Sequence, residues 1–355
     1  MDTLNFENHE LGDVNDGKVA RVTRCRRAPL INISNSQRNN VVSKKAKKST
    51  VSPVSKQSDS SKDDSYLGDV FGYLIRLEQS INVCPHYMDK QHDLKPVMRS
   101  ILVDWIIQAC TKFKLTDETQ YYAIQYIDRF LTTTLIERSN LQLVGIGAIF
   151  IACKFEEICV PSMSDLCYIT EDTYTPKVSS TPLILKLVLA HEKLIIKLNI
   201  VHKHKRLRQF LIPLMHLYNY FQELERMESK FLLALDYDLG YPTTIQFLRY
   251  IVKVFSCSRQ QYYCGKFLCE LMSVSYPALQ WKPSEIAVSS LDILNEISTF
   301  VPALRQLHNL QFNESSIAEC KRFIRKTILN DELSEYVTVF TKYDSVYKKL
   351  KSELK

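Results

Sequence analysis

Residues 141–155 read LQLVGIGAIFIACKF, and only Gln142 and Lys154 carry strongly polar side chains in that run. A helix with this sequence is apolar almost all round, and such a helix belongs in the centre of a bundle rather than on its surface. Gly145 and Ala148 leave room for neighbouring helices to approach closely. A second run, starting at Met98, has a different pattern. Met98, Ile101, Leu102, Trp105 and Ala109 fall at i, i+3, i+4, i+7 and i+11, one face of a helix. Ile106 and Cys110 widen that apolar surface, while Arg99 and Asp104 sit among apolar neighbours, where a plain core helix would not place them.

Helical periodicity continues to about residue 345, and no strand-like alternation of useful length interrupts it. The expected fold is therefore all-α. At 355 residues the chain has room for two domains and tails. Residues 1–65 contain a single aromatic, Phe6, and are rich in Ser, Asn, Lys and Asp, so this segment is expected to be a disordered regulatory tail. Val70, Leu74, Leu77 and Ile81 mark an amphipathic N-terminal helix within 66–93. Pro96 suits the first turn of the helix that opens a domain over 94–240. Pro242 and Pro283 stand at expected helix starts of a second helical domain over 241–345, and 346–355 reads as a short tail.

Composition narrows the function classes. The net charge of +7 invites a nucleic-acid reading, but its distribution argues against one. Residues 1–65 hold twelve Lys and Arg against eight Asp and Glu, and residues 178–222 hold seven against one, which leaves the helical body slightly acidic. No long charge-free apolar run indicates a membrane span, and the opening MDTLNFENHE lacks the apolar core of a secretory leader. The ten cysteines form no CxxC pair and several lie inside apolar helical runs, as free thiols of a reducing compartment do. Gly145-Ile146-Gly147 sits within a helix, without the strand and turn of a phosphate loop. His202 and His204 have no companion ligand set. The chain is expected to be no enzyme, and to use no cofactor and no metal.

MRSILVDW, YIDRF, LQLVG and IACKFEE follow one another in that order over residues 98–157. Their order and spacing resemble the cyclin box of A- and B-type mitotic cyclins. HYMDKQHDLKPVMRSILVDW and the helix before it look closer to the B type. The second half resembles the C-terminal cyclin fold through the number and size of its helices. The resemblance implies two tandem cyclin-type five-helix domains. It also implies a regulatory subunit that binds and activates a cyclin-dependent Ser/Thr kinase in S, G2 or M phase by repositioning the kinase's regulatory helix.

Carried onto this sequence, the resemblance assigns roles to particular residues. Lys154 and Glu228 match the charged pair that hydrogen-bonds the kinase, and Leu232, Tyr237 and Leu239 match the apolar groove that receives its helix. Met98, Ile101, Leu102 and Trp105 match the floor of a substrate-docking patch for Arg-x-Leu peptides, with Gln108 and Gln142 at its edge. Family members often carry Glu where this chain has Gln108, so selection for the peptide's Arg is in doubt. Arg99 and Asp128 match a buried salt bridge that ties two helices. In the tail, Arg27, Leu30 and Asn35 fit the destruction-box pattern R-x-x-L-x-x-x-x-N, read by a ubiquitin ligase of the anaphase-promoting type. Lysines 44, 45, 47 and 48 lie nearby as ubiquitin acceptors or an import signal, and Ser52-Pro53 is a minimal proline-directed site. The implied location is nucleus and cytoplasm.

One segment does not fit. A cyclin would pass from DTYTPK, ending at Lys177, straight to ELERMESKFLLALDYDL, a helix expected to start at Glu223. Residues 178–222 intervene, apolar and basic, without Asp or Gly. Lys154 and Glu228 are 74 positions apart, and 29, the family spacing, once this 45-residue insert is left out. Two readings stay open, a genuine insertion and a retained intron. The alternatives to a working kinase activator are accordingly a mis-spliced, non-functional isoform and a transcription-associated cyclin-fold factor, which would present a basic face on its helical body.

Overall fold

The computed structural model describes residues 60–81, 83–162, 165–166, 205–297 and 312–354, with backbone alone for residues 60–67, 205–219 and 297. Every regular element among them is helical. The chain forms α1 (Ser60–Gln79), α2 (Pro96–Phe113), α3 (Asp117–Thr133), α4 (Leu141–Glu156), α5 (Lys205–Ala234), α6 (Thr244–Val254), α7 (Arg259–Val274), α8 (Pro283–Ile297), α9 (Glu314–Leu329), α10 (Val337–Lys342) and α11 (Asp344–Leu354).

The apolar run becomes α4, and it lies at the centre of the first domain with α2, α3 and α5 around it. Val144 through Cys153 are all buried. Its glycines are needed for this packing. A Cβ on Gly145 would lie 2.8 Å from Leu102 Cδ1 and 3.2 Å from the Trp105 ring. A Cβ on Gly147 would lie 2.9 Å from Met227 Cγ on α5. Across the same core Phe130 of α3 stacks on Phe231 of α5 at 4.2 Å. In the second domain α8 takes the central place, with Ala287, Ser289, Ser290 and Ile293 fully buried against α6, α7 and α9.

Local signals set the helix ends. Pro96 occupies the first turn of α2, and Lys114 closes it in the left-handed region at φ 55°. Thr116 then caps α3 by accepting from Thr119 N. Ser258 and Gln261 form a reciprocal cap on α7. Helix α1 folds back onto the second domain, where Phe71 is buried against Tyr250 and Phe247. Its Glu78 carboxylate is buried and accepts from Ser284 N at 2.7 Å and Ser284 Oγ at 2.6 Å, capping α8 from outside that helix. Burial pushes this carboxyl above its ordinary value, while the two Ser284 bonds pull it back.

Four sequence expectations are corrected. The helix carrying Glu228 starts at Lys205, not Glu223, so the end of the insert continues directly into it. Tyr220, an insert residue, is buried in the first-domain core, and Phe221 packs against that core. Helix α1 begins at Ser60, inside the segment expected to be tail. The stretch 346–355, also read as tail, belongs to α11 as far as Leu354, and its Leu350 is buried in the core. Finally, the core face of α2 is rotated from the one read in the sequence. Arg99, Val103, Ile106, Ile107 and Cys110 are buried with Leu102 and Ala109, whereas Ile101 is 57% exposed.

Candidate functional site

Lys154 stands in the last turn of α4, and Glu228 on α5, which packs beside it. The Lys154 ammonium donates to Glu228 Oε1 at 2.7 Å and Oε2 at 2.9 Å and lies 4.1 Å from the centre of the Phe150 ring. The lysine side chain remains 44% exposed, so the pair sits at the surface of the domain.

Exposed apolar groups lie near it in sequence. Phe155 is exposed beside Lys154, its ring edge-on to Tyr122 at 5.2 Å. Ile158, just past the helix end, is 93% exposed. Glu157 fixes the turn between them by accepting from Thr116 N, Thr116 Oγ1 and Thr119 Oγ1, which ties the end of α4 to the start of α3. Leu233 is exposed in the last turn of α5. Asp236 and Tyr237 follow, both in the left-handed region at φ 53° and 55°. Two successive non-glycine residues there carry strain that the surroundings must hold.

Helix α3 does the holding. Arg129 donates to Asp238 O at 2.7 Å and Leu235 O at 3.2 Å, and its guanidinium lies 4.5 Å from the Tyr241 ring centre. Tyr126 donates to Leu239 O at 3.1 Å. Tyr237 is thereby presented 66% exposed, with Leu232 and Leu239 half-buried next to it in sequence. Phe155, Ile158, Leu233 and Tyr237 are thus exposed apolar side chains on the helix ends and turns next to the ion pair's helices.

The second set of residues forms a separate surface on α2. Ile101 and its neighbour Val97 are exposed, Met98 and Trp105 are half-buried, and Leu102 is buried with its side chain over Gly145. Gln108 on α2 and Gln142 on α4 are both exposed. The arrangement is an apolar shelf, not an enclosed pocket.

Arg99 and Asp128 are joined by Nε to Oδ1 at 3.0 Å and Nη2 to Oδ2 at 2.7 Å, with the Arg side chain only 1% exposed. The tie reaches further than the two helices assigned to it. Arg99 Nη1 also donates to Ser273 O at 2.6 Å and Val274 O at 3.2 Å, the last carbonyls of α7 in the second domain. Tyr87 donates to Asp128 Oδ1 at 2.8 Å. Burial alone would lower the affinity of the guanidinium for its proton, but the Asp128 charge outweighs it and holds Arg99 above its ordinary value. A guanidinium satisfies this many acceptors because its donors fan out in one plane.

Two domain models match the chain: the cyclin N-terminal domain over residues 69–181 and the cyclin C-terminal domain over residues 242–353. This chain belongs to the cyclin family. Among curated relatives it is 29% identical over 283 residues to the G2/mitotic-specific cyclin-B2 of Gallus gallus, covering 79% of this chain and 59% of that protein. It is 29% identical over 286 residues to the G2/mitotic-specific cyclin-B1 of Xenopus laevis, covering 79% and 60%. It is 30% identical over 279 residues to the putative cyclin-A3-1 of Arabidopsis thaliana, covering 74% and 66%. This cyclin thus spans about six tenths of the length of the B-type relatives it matches. A viral cyclin from herpesvirus saimiri shares the fold at a TM-score of 0.54 and 16% identity, over 78% of this chain and 99% of that one.

The structure of this cyclin adds residues to the candidate surface that the sequence reading did not single out: Ile158, Leu233, Arg129 and Tyr126. Ile158 and Leu233 carried a signal, since both are apolar where a helix end faces outward. Arg129 and Tyr126 carried none, because their targets are backbone carbonyls more than 100 positions away. Arg27, Leu30, Asn35 and lysines 44, 45, 47 and 48 lie outside the described residues, as do His202 and His204. Among the described residues no group of three His, Cys, Asp or Glu side chains is placed to hold a metal, and no helix is long and apolar enough to cross a membrane. Desolvation pushes the Cys153, Cys269 and Cys320 thiols up to about 12, which leaves them protonated at neutral pH.

Proposed function

We propose that this cyclin binds and activates a cyclin-dependent Ser/Thr kinase through the surface centred on Lys154 and Glu228, and contributes no catalysis of its own. The observation that carries the reading is the bidentate Lys154–Glu228 pair at an exposed rim, flanked by Phe155, Ile158, Leu233 and Tyr237. Such a pair orients two spare sets of donors and acceptors toward a partner, while the apolar flank supplies the area to be buried. The B-type relatives are G2/mitotic-specific cyclins. We extend this to S, G2 or M phase for this chain.

In the same reading the α2 shelf docks substrates or inhibitors carrying Arg-x-Leu. Arg27, Leu30 and Asn35 deliver the chain to a ubiquitin ligase of the anaphase-promoting type, and the protein works in nucleus and cytoplasm. The reading involves neither nucleic acid nor a membrane span. The reading as a non-functional splice product is disfavoured by one geometry: Lys154 and Glu228 meet although the insert separates them in sequence. The test is to mix the purified full chain with a cyclin-dependent kinase and a histone substrate, with and without residues 178–222. Stimulated phosphorylation by the full chain supports the proposal. Stimulation only by the shortened chain supports the splice-product reading, and none by either overturns both.

A further inference from the structure

One face of α3 holds the segment that joins α5 to α6. Tyr122, Gln125, Tyr126 and Arg129 fall at i, i+3, i+4 and i+7 on that face. Tyr122 Oη accepts from Gln246 Nε2 at 3.0 Å, Gln125 Nε2 donates to Pro242 O at 3.1 Å, and Tyr126 Oη donates to Leu239 O at 3.1 Å. Arg129 ends the row, with Nη1 on Asp238 O at 2.7 Å and Nη2 on Leu235 O at 3.2 Å. The joining segment thus runs back along α3 and is fastened to it step by step.

Arg129 has a task that the other three residues do not share. Leu235 and Asp238 stand on either side of Asp236 and Tyr237, the two residues in the left-handed region. The guanidinium therefore grips the carbonyls at both ends of the strained pair, and its rigid planar fork fixes the distance between them. The Tyr241 ring, 4.5 Å from the guanidinium, braces that plane. Inside the turn Tyr237 N donates to Leu232 O at 2.9 Å, which ties the pair back to α5. Non-glycine residues at positive φ persist only where their surroundings over-determine them. Without the fork, the broad region at negative φ is open to both residues, and the exposed Tyr237 side chain loses its single orientation.

We propose that Arg129 is a positioning residue for kinase binding, acting through the turn at 235–238 rather than by touching the kinase. The proposal rests on the kinase-binding reading above and adds to it a residue on a helix other than those of Lys154 and Glu228. A turn held in its left-handed form before the partner arrives need not be ordered on binding. A turn that samples several forms lowers the apparent affinity by the fraction that is competent.

The experiment is a double-mutant cycle on the full chain. Parent, Arg129→Ala, Tyr237→Ala and the double variant are each titrated with a purified cyclin-dependent kinase, with Lys154→Ala as the reference. Each single variant is expected to bind about tenfold more weakly, and the double variant no more weakly than either, because the orientation of Tyr237 is irrelevant once its side chain is gone. Arg129→Lys should fall between parent and Arg129→Ala, since an ammonium keeps the charge but not the fork. Amide hydrogen exchange of free Arg129→Ala should quicken at Asp236 and Tyr237 and match the parent along residues 144–153 of α4. Losses that multiply to about a hundredfold in the double variant would make Arg129 an independent contact and overturn the proposal. Parent-like binding by Tyr237→Ala, or faster exchange throughout α4, would overturn it as well. Parent-like binding by Arg129→Ala while Lys154→Ala loses the kinase sinks this inference alone, and parent-like binding by both sinks the kinase-surface reading with it.

Discussion

The Lys154 ammonium and the Glu228 carboxylate meet at 2.7 and 2.9 Å across a sequence gap of 74 positions that includes the whole atypical insert. What allows this is the close packing of α4 and α5. Gly147 admits the side chain of Met227, the residue just before Glu228, so the two helices run near enough for Lys154 and Glu228 to meet. The pair is exposed, and exposed pairs stabilise a fold by only about 0.2–1 kcal/mol. Its geometry therefore matters more for what it presents than for holding the domain together.

From this follows a separation of stability from binding. Lys154→Ala is expected to shift the melting temperature by no more than a degree or two, while capture of a cyclin-dependent kinase falls at least tenfold. Calorimetric melting and kinase pull-down on the same preparations check both halves.

Arg99→Ala is expected to act in the opposite way. It strands the buried Asp128 charge and leaves two α7 carbonyls unsatisfied, at a cost of about 3–5 kcal/mol. Urea unfolding should show a lower midpoint. Because the bonds to Ser273 and Val274 cross between domains, an additional early transition is expected. Arg99→Lys should recover only part of the loss, since an ammonium cannot reach both the carboxylate and the carbonyls.

Gly145→Ala should destabilise by about 1–3 kcal/mol through overpacking, because the added methyl meets Leu102 and Trp105. The displaced side chains belong to the α2 shelf. Affinity for an Arg-x-Leu peptide should therefore fall along with stability, whereas kinase capture should change little. Peptide titration by fluorescence anisotropy reads the first, and pull-down the second.

Asp117 gives a prediction about pH. Burial pushes its carboxyl up, but the Lys266 hydrogen bond and the Lys266 and Arg249 charges outweigh that and hold it below its ordinary value of 3.8. A carboxyl depressed in the folded state contributes stability that is present above its unfolded value and lost as pH falls through the folded one. The loss should therefore appear below about pH 4. In Asp117→Asn the melting temperature should be lower at pH 7 and converge on the parent's in that acid window. A constant gap at all pH values would assign the effect to packing instead.

Much of the first domain was legible because a long run without polar interruption has only one good place, the centre of a bundle. Residues 141–155 went there as α4. The face of α2 was misread for an equally physical reason. Arg99 counts as polar in any periodicity, yet it is buried, because Asp128 and two carbonyls some 174 positions away satisfy it. Most of helix α11 was read as a tail because the helical pattern was traced only to about residue 345. Its burial rests on Leu350, with Val346 and Tyr347 packed beside it. The left-handed pair Asp236–Tyr237 left little trace, since Tyr rarely adopts positive φ and the restraint comes from Arg129 and Tyr126 on another helix.

The measurement closest to the central claim is kinase affinity for three forms of the full chain: parent, Lys154→Ala, and the swap Lys154→Glu with Glu228→Lys. The swap rebuilds an ion pair between the two helices but presents the wrong charges outward. If the surface around Lys154 and Glu228 receives the kinase, the parent binds, the single variant loses binding, and the swap fails to recover it although it melts like the parent. Full recovery by the swap would reduce the pair to a structural clasp, and unchanged binding by Lys154→Ala would contradict the account outright.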